Sequence, residues 1–191
     1  MNHRAKHLLR DDKKQVRYPS ERKRIENRGA DVTLQKMSLE RTLLATQGYI
    51  ELEMPAEALA ELDSLAMKDQ RREEVLQLRL FVLMRGRQWS RALDVCEQLR
   101  RLFPEGSTGY IHGAFCLHEL GRTAEARDVL VSGPPDLARE ATYFYNLGCY
   151  NAVLGDLEEA VTSLRTSFEM DGKFREIAKY DPDLKSVSDL L

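Results

Sequence analysis

The strongest constraint on the fold is an internal repeat. The sequence LGRTAEARDVL runs from Leu120 to Leu130, and the similar sequence LGDLEEAVTSL runs from Leu154 to Leu164. The same period relates four alanines, each followed one helical turn later by an apolar residue. The alanines are Ala58, Ala92, Ala126 and Ala160, and the apolar residues are Leu62, Cys96, Leu130 and Leu164. A period of about 34 residues predicts one supersecondary unit stacked on its own copies.

Each unit has the apolar spacing of two amphipathic helices. In the last copy, apolar residues recur at helical intervals over residues 144–154 and again over 157–168, and Gly155 lies between the two stretches. Glycine fits the end of a first helix, where a left-handed residue closes the turn, and Gly121 and Gly86 are candidates for the same role. A helix pair of this size cannot bury its apolar stripes alone, so the pattern predicts pairs stacked on one continuous core.

The repeated residues resemble the tetratricopeptide repeat, a helix-turn-helix unit of about 34 residues. The matching positions are Leu147 and Gly148 for the LG pair, Trp89 and Leu157 for the large residue that opens the second helix, the four alanines, and Pro104. The resemblance implies an all-α, right-handed α-solenoid of about four antiparallel helix pairs with a C-terminal capping helix. The implied array covers residues 37–172, with repeats at about 39–72, 73–106, 107–140 and 141–172.

Two places in the sequence depart from the repeat, and a third segment ends the array. The first copy has Pro55 where its second helix begins, which the first turn of a helix tolerates. The third copy is interrupted by SGPPD, residues 132–136, which predicts a short second helix and Asp136 as the cap of an early next helix. Residues 145–191 resemble the terminal repeat segment that closes many bacterial tetratricopeptide arrays and ends in a DPDL element. Within it, residues 173–191 form the predicted capping helices, with Asp181 as a cap and Pro182 at the first helical position. These capping helices are expected to cover the last pair.

The resemblance also implies a binding surface, because the first helix of each pair lines the concave face of such arrays. The implied groove residues are Leu43, Gln47, Ile50, Gln77, Phe81, Met84, Ile111, Phe115, His118, Tyr145, Cys149 and Ala152. This set contains no Lys or Arg, which disfavours a clamp for a carboxylate terminus and favours a protein or peptide with apolar anchor residues. The alternative is that Phe81 and Phe115 pack inside the superhelix.

The charge of the chain is unevenly distributed. Residues 1–36 carry eleven Lys or Arg against five Asp or Glu, a net charge of +6, which leaves −8 for the rest of a chain whose total is −2. The basic N-terminal tail is predicted to be disordered or loosely helical. A phosphate-binding arm for nucleic acid is the less favoured alternative. Met37 directly precedes SLERTLLATQGYIEL, where the first repeat begins, so translation starting at Met37 is a third interpretation.

The sequence gives no indication of catalysis, a metal or a cofactor. His112 and His118 are six positions apart, so they do not share a helical face as an i, i+4 metal pair would. No Gly-rich phosphate loop and no catalytic serine or zinc motif occurs. Cys96, Cys116 and Cys149 lack metal-site spacing, so we interpret them as packing residues of a protein in a reducing, cytoplasmic compartment. No stretch is apolar enough for a secretory signal or a membrane span.

These observations predict a non-enzymatic scaffold or adaptor that binds a peptide segment in its concave groove. Two alternatives stay open. The chain also resembles the small tetratricopeptide chaperones of bacterial secretion systems, which are short arrays with an apolar groove. It would equally suit a subunit of a regulatory or enzymatic complex, since a fold alone does not specify a function.

Overall fold

The computed structural model describes residues 38–190, and every regular element in this range is helical. The basic tail predicted for residues 1–36 lies outside the described residues. The α-helices are α1 (38–51), α2 (Pro55–Asp63), α3 (Met67–Gln70), α4 (Glu73–Arg85), α5 (Trp89–Leu102), α6 (Thr108–Glu119), α7 (Thr123–Val131), α8 (Ala141–Leu154), α9 (Leu157–Met170) and α10 (Lys173–Ala178). Short 3-10 turns follow at Pro135–Arg139, Pro182–Leu184 and Ser188–Leu190.

The helices form consecutive antiparallel pairs that stack along the chain. The pairs are α1 with α2, α4 with α5, α6 with α7, and α8 with α9, and each of the last three pairs is joined by a very short turn. Helix α5 packs on α6, and α7 packs on α8, so each pair covers the apolar side of the next. At the end of the array α10 packs on α9, while the turn Pro182–Leu184 packs on α8. The predicted all-α solenoid of about four helix pairs is therefore confirmed.

The buried core follows the phase of the repeat in the sequence. All four in-phase alanines are fully buried, and so are all four apolar residues that lie one helical turn further on. These residues lie in the second helices, where the first helix of the same pair crosses them. Because a fully buried alanine allows close approach of two backbones, each pair has a small residue where its helices cross.

The turn between the two helices of each pair has the same backbone hydrogen bonds in all four copies. A residue just after each first helix has a positive φ, and these residues occupy the same position of each repeat: Glu53 (58°), Arg87 (52°), Gly121 (75°) and Gly155 (89°). The next N–H donates to the carbonyl five positions earlier, as in Arg122 to Leu117 and Asp156 to Asn151, both at 2.9 Å. This is the Schellman motif, which satisfies the last carbonyls of a helix.

Two expectations about the loops are corrected by this geometry. Gly86 has a φ of −82° and does not close the turn, because the left-handed position falls one residue later, on Arg87. Asp136 does not cap an early helix: it lies inside the 3-10 turn Pro135–Arg139, whose first residue follows Pro134, and α8 begins only at Ala141. The second helix of the third pair is short, as predicted, with nine residues.

Two predicted helix starts are confirmed. Pro55 is the first residue of α2, where its missing N–H would have had no partner within the helix. Asp181 precedes the turn that starts at Pro182, and its carboxylate accepts a hydrogen bond from the N–H of Asp183 at 3.0 Å. Among residues 38–190 no helix has both the length and the apolar character to cross a membrane.

Candidate peptide-binding face

The first helices α1, α4, α6 and α8 together form one surface, here called the first-helix face, and carry all twelve predicted groove residues. A depression of about 580 Å³ lies on this face between α4 and α6. We call it the open groove. Its lining residues are Gln77, Leu80, Phe81, Met84, Arg85, Trp89, Thr108, His112 and Phe115. Four of the predicted residues, Gln77, Phe81, Met84 and Phe115, are therefore brought together.

Aromatic side chains dominate the open groove. Phe81 is 49% exposed, which is a high value for a large apolar residue and shows that it does not belong to the core. Phe115 is half-buried, and its ring forms a T-shaped contact with that of Trp89, with centroids 5.6 Å apart. This T-shaped contact is a favourable geometry for two aromatic rings and fixes the orientation of Phe115. The ring of Phe81 is thus largely exposed in the groove, while that of Phe115 is held in place.

Two arginines lie over the aromatic rings at the edge of the open groove. The guanidinium carbon of Arg85 is 5.8 Å from the centroid of Phe81, and that of Arg87 is 5.9 Å from the centroid of Trp89. Each arginine also lies 3.7 Å from a carboxylate, Glu53 for Arg85 and Glu119 for Arg87. Because both arginines are exposed, such pairs contribute at most about 1 kcal/mol. The charges border the groove and leave its centre apolar.

His112 is the titratable group inside the open groove. Burial lowers the pKa of its imidazole, since a charged ring is poorly solvated there, while the charge of Glu140 acts in the opposite direction. Together with Thr108 and Phe115 it lies on one stripe of α6 at helical spacing. The sequence prediction used Ile111 and His118 with Phe115 instead, and Ile111 is buried. The polarity of Thr108 and His112 was the signal in the sequence that could have identified the stripe that lines the open groove.

The three predicted groove residues on α1 differ from one another in their surroundings. Leu43 packs against a small core cluster of Leu39, Leu62, Leu65 and Val75, and Ile50 packs against the main core. Gln47 is exposed on α1. These three residues do not line the open groove, although Ile50 lines a smaller depression of about 200 Å³ beside Val82 and Arg85.

The C-terminal predicted residues lie beneath a segment of the same chain. This segment, residues 181–187, is called the DPDL segment. The hydroxyl of Tyr145 donates to Asp181 Oδ2 at 2.7 Å, and the thiol of Cys149 lies 3.7 Å from the same oxygen. His118 Nε2 lies 2.9 Å from Asp183 Oδ2, and Ser186 donates to the carbonyl of Ala152 at 3.4 Å. His118, Tyr145, Cys149 and Ala152 are thus brought together, but an external partner does not reach them in this conformation.

Two polar side chains that the DPDL segment covers, Tyr145 and Cys149, have shifted pKa values because of this burial. Burial, followed by the bond to Asp181, raises the pKa of the Tyr145 phenol. Burial also raises the pKa of the Cys149 thiol, so the thiol stays protonated and unreactive. The ring of Tyr145 stacks on Phe174 with centroids 4.8 Å apart. His118 Nδ1 lies 3.0 Å from the Thr123 hydroxyl, which holds the imidazole in the plane that reaches Asp183.

Known structures of the same fold are similar to this chain. No protein-family model and no curated protein matches the sequence. A structure of MamA from Desulfovibrio magneticus RS-1 is similar with a TM-score of 0.64 and 18% identity, over 80% of this chain and 93% of that one. A structure of YrrB is similar with a TM-score of 0.60 and 15% identity, over 78% of this chain and 80% of that one.

YrrB is described as a TPR protein with an unusual peptide-binding site. The chain has the tetratricopeptide-repeat fold. At these identities the comparison establishes the fold and nothing further about binding. It does confirm the resemblance on which the twelve groove residues were chosen. The role of those residues in binding stays a prediction.

Proposed function

We propose that this tetratricopeptide array is a non-enzymatic protein-interaction scaffold that binds an apolar peptide segment in its open groove. The observation that supports the proposal is the exposed ring of Phe81 beside Met84 and Phe115 in a depression of about 580 Å³. Exposed apolar clusters of this kind are typical of interaction sites. The peptide-binding description of YrrB, a protein of the same fold, agrees with it.

The chemistry of the groove indicates what a partner segment would contain. Burying one phenylalanine ring or a matching aliphatic side chain contributes roughly 1.5 to 3 kcal/mol. Arg85 and Arg87 at the rim favour a partner whose apolar anchors are flanked by acidic residues, because such charges add specificity and speed association. The three cysteines of the array are free and buried, in agreement with action in a reducing compartment such as the cytoplasm.

A peptide library displayed on phage, selected against the full chain, tests the proposal. Selected peptides should share an aromatic or aliphatic anchor, and Phe81→Ala should weaken their binding about tenfold or more, measured by calorimetry. Val131→Ala is the matched control, since Val131 is also an exposed apolar residue but lies on the second helix α7. Selected peptides without an apolar anchor, or equal binding by Phe81→Ala and wild type, would refute the proposal.

A further inference from the structure

The DPDL segment lies on the first-helix face between α6 and α8 much as a bound peptide would. Its two aspartates are held by side chains that are distant in sequence: Tyr145 is 36 residues from Asp181, and His118 is 65 residues from Asp183. Among residues 38–190 no Lys or Arg forms an ion pair with either aspartate. The carboxylates are therefore contacted by a phenol, an imidazole and a thiol rather than by Lys or Arg.

The segment combines this charged pair with apolar anchors. Leu184 is 1% exposed and Val187 is fully buried, so both fill space in the array. The turn also has an internal hydrogen bond, because Asp181 Oδ1 accepts from the N–H of Asp183, which leaves Oδ2 to accept from Tyr145. A rigid ligand loses less conformational entropy on binding. The segment thus has the features of a peptide ligand: a fixed turn, two specific polar contacts and buried apolar side chains.

One donor beside this site is not used by the segment. Tyr150 is 2% exposed, and its hydroxyl has no hydrogen-bond partner among the described residues. Its ring centroid lies 5.1 Å from that of His118, the residue that binds Asp183. Buried hydroxyls are nearly always paired, so an unpaired one adjacent to a bound segment indicates capacity for a further acceptor.

We infer that His118, Tyr145 and Cys149 form a second binding site, specific for a segment in which one residue separates two aspartates and leucine follows the second. The DPDL segment, which is tethered in the same chain, is the internal ligand of this site. A partner segment of the same chemistry binds when it displaces the resident one. Tethering gives the resident segment an effective concentration of about millimolar, so the intact chain resists weak competitors. The inference goes beyond the proposed function and is independent of it, since the open groove uses other residues.

The test uses a fluorescent synthetic peptide, AKYDPDLKSVS, which copies residues 178–188. Its binding is measured by anisotropy against the full-length wild type and against the double variant Asp181→Ala/Asp183→Ala, whose resident segment has lost both polar contacts. The double variant should bind the peptide at least about tenfold more tightly than wild type, because the resident competitor is weakened. A peptide with alanine at both aspartates should lose this binding.

Two further variants identify the site. Tyr145→Phe in the double variant should weaken peptide binding about tenfold, since it removes only the donor to the first aspartate. Phe81→Ala in the same background is the matched control and should leave the binding of this peptide unchanged, because Phe81 lies in the open groove. Failure of the proposed function of the open groove can then be distinguished from failure of this inference. If the double variant loses its helical circular dichroism, Asp183→Asn replaces it with the same expected ranking. Equal peptide affinity for wild type and variant, or affinity that does not depend on the peptide aspartates, would overturn the inference.

Discussion

The first half of the array contains the pairs α1–α2 and α4–α5, and the second half contains the pairs α6–α7 and α8–α9. The two halves have the same backbone fold but differ in which first-helix residues are exposed. In the second half, α6 and α8 carry the DPDL segment on the first-helix face, and Tyr145 and Cys149 are buried beneath it. In the first half, α4 borders the open groove, which it shares with α6 of the next pair, and Phe81 is exposed. Equivalent positions of the repeat are therefore buried in one half and exposed in the other. The position of a residue in the repeat does not by itself determine its exposure.

The halves also differ in the residue at the left-handed position of the turn between the two helices of each pair. The left-handed position is occupied by Glu53 and Arg87 in the first half and by Gly121 and Gly155 in the second. The hydrogen bonds of the turn are the same in all four, so the position in the repeat sets the conformation. Glycine removes only the steric cost, which for other residues is about 1 to 2 kcal/mol.

A third difference concerns the first-helix position of Gly148, which lies against Ala160 and Leu164 of the second helix. This position holds Thr46 and Leu80 in the first half but Ala114 and Gly148 in the second, and all four residues are buried. Helices α8 and α9 accordingly pack more extensively than α4 and α5. Small residues permit close contact between helices, and larger ones keep the axes further apart.

The largest expected contrast comes from truncating one apolar residue in each half. Leu184→Ala should lower the free energy of unfolding by about 2 to 5 kcal/mol, because it leaves a cavity under the DPDL segment. Phe81→Ala should change it by less than about 1 kcal/mol, since much of that ring is already in water. Urea denaturation followed by circular dichroism measures both. Similar losses for the two variants would contradict the distinction between covered and open halves.

A smaller contrast is expected from adding one methyl group. Gly148→Ala should destabilise the chain by about 1 to 3 kcal/mol, because its Cβ would lie 2.6 Å from Leu164 Cγ. Gly48→Ala is the control on α1, where a Cβ meets nothing within 4 Å. That change should stabilise the helix by about 0.5 to 1 kcal/mol. Thermal melting compares the two, and a stabilising Gly148→Ala would show that α8 and α9 do not need the close approach.

The smallest contrast exchanges the residues at the left-handed turns. Gly155→Ala should cost about 1 kcal/mol through its φ of 89° alone, since a Cβ there has open space around it. Glu53→Gly should have the opposite sign and stabilise by up to about 1 kcal/mol, less the weak pair with Arg85. Chemical denaturation resolves differences of this size. Two shifts of the same sign would mean that backbone strain at these turns is not what distinguishes the halves.

Much of the fold was predictable because it depends on interactions within one repeat. Apolar periodicity identified the helices, and the phase of Ala58, Ala92, Ala126 and Ala160 identified the residues at the helix crossings. Gly121 and Gly155 marked two of the turns correctly. Gly86 misled the prediction for the second turn, because the backbone position that requires a left-handed residue is set by the length of α4 and not by where a glycine occurs.

The candidate site was less predictable because its exposure depends on contacts between distant parts of the chain. The sequence by itself determined the repeating helix pairs and the positions of their buried alanines, since these follow from apolar spacing within a single repeat. Only the tertiary structure decided that the DPDL segment covers Tyr145 and Cys149 while Phe81 stays open. That outcome depends on where the chain returns after α9, and pairings such as His118 with Asp183 leave no periodic signal in the sequence.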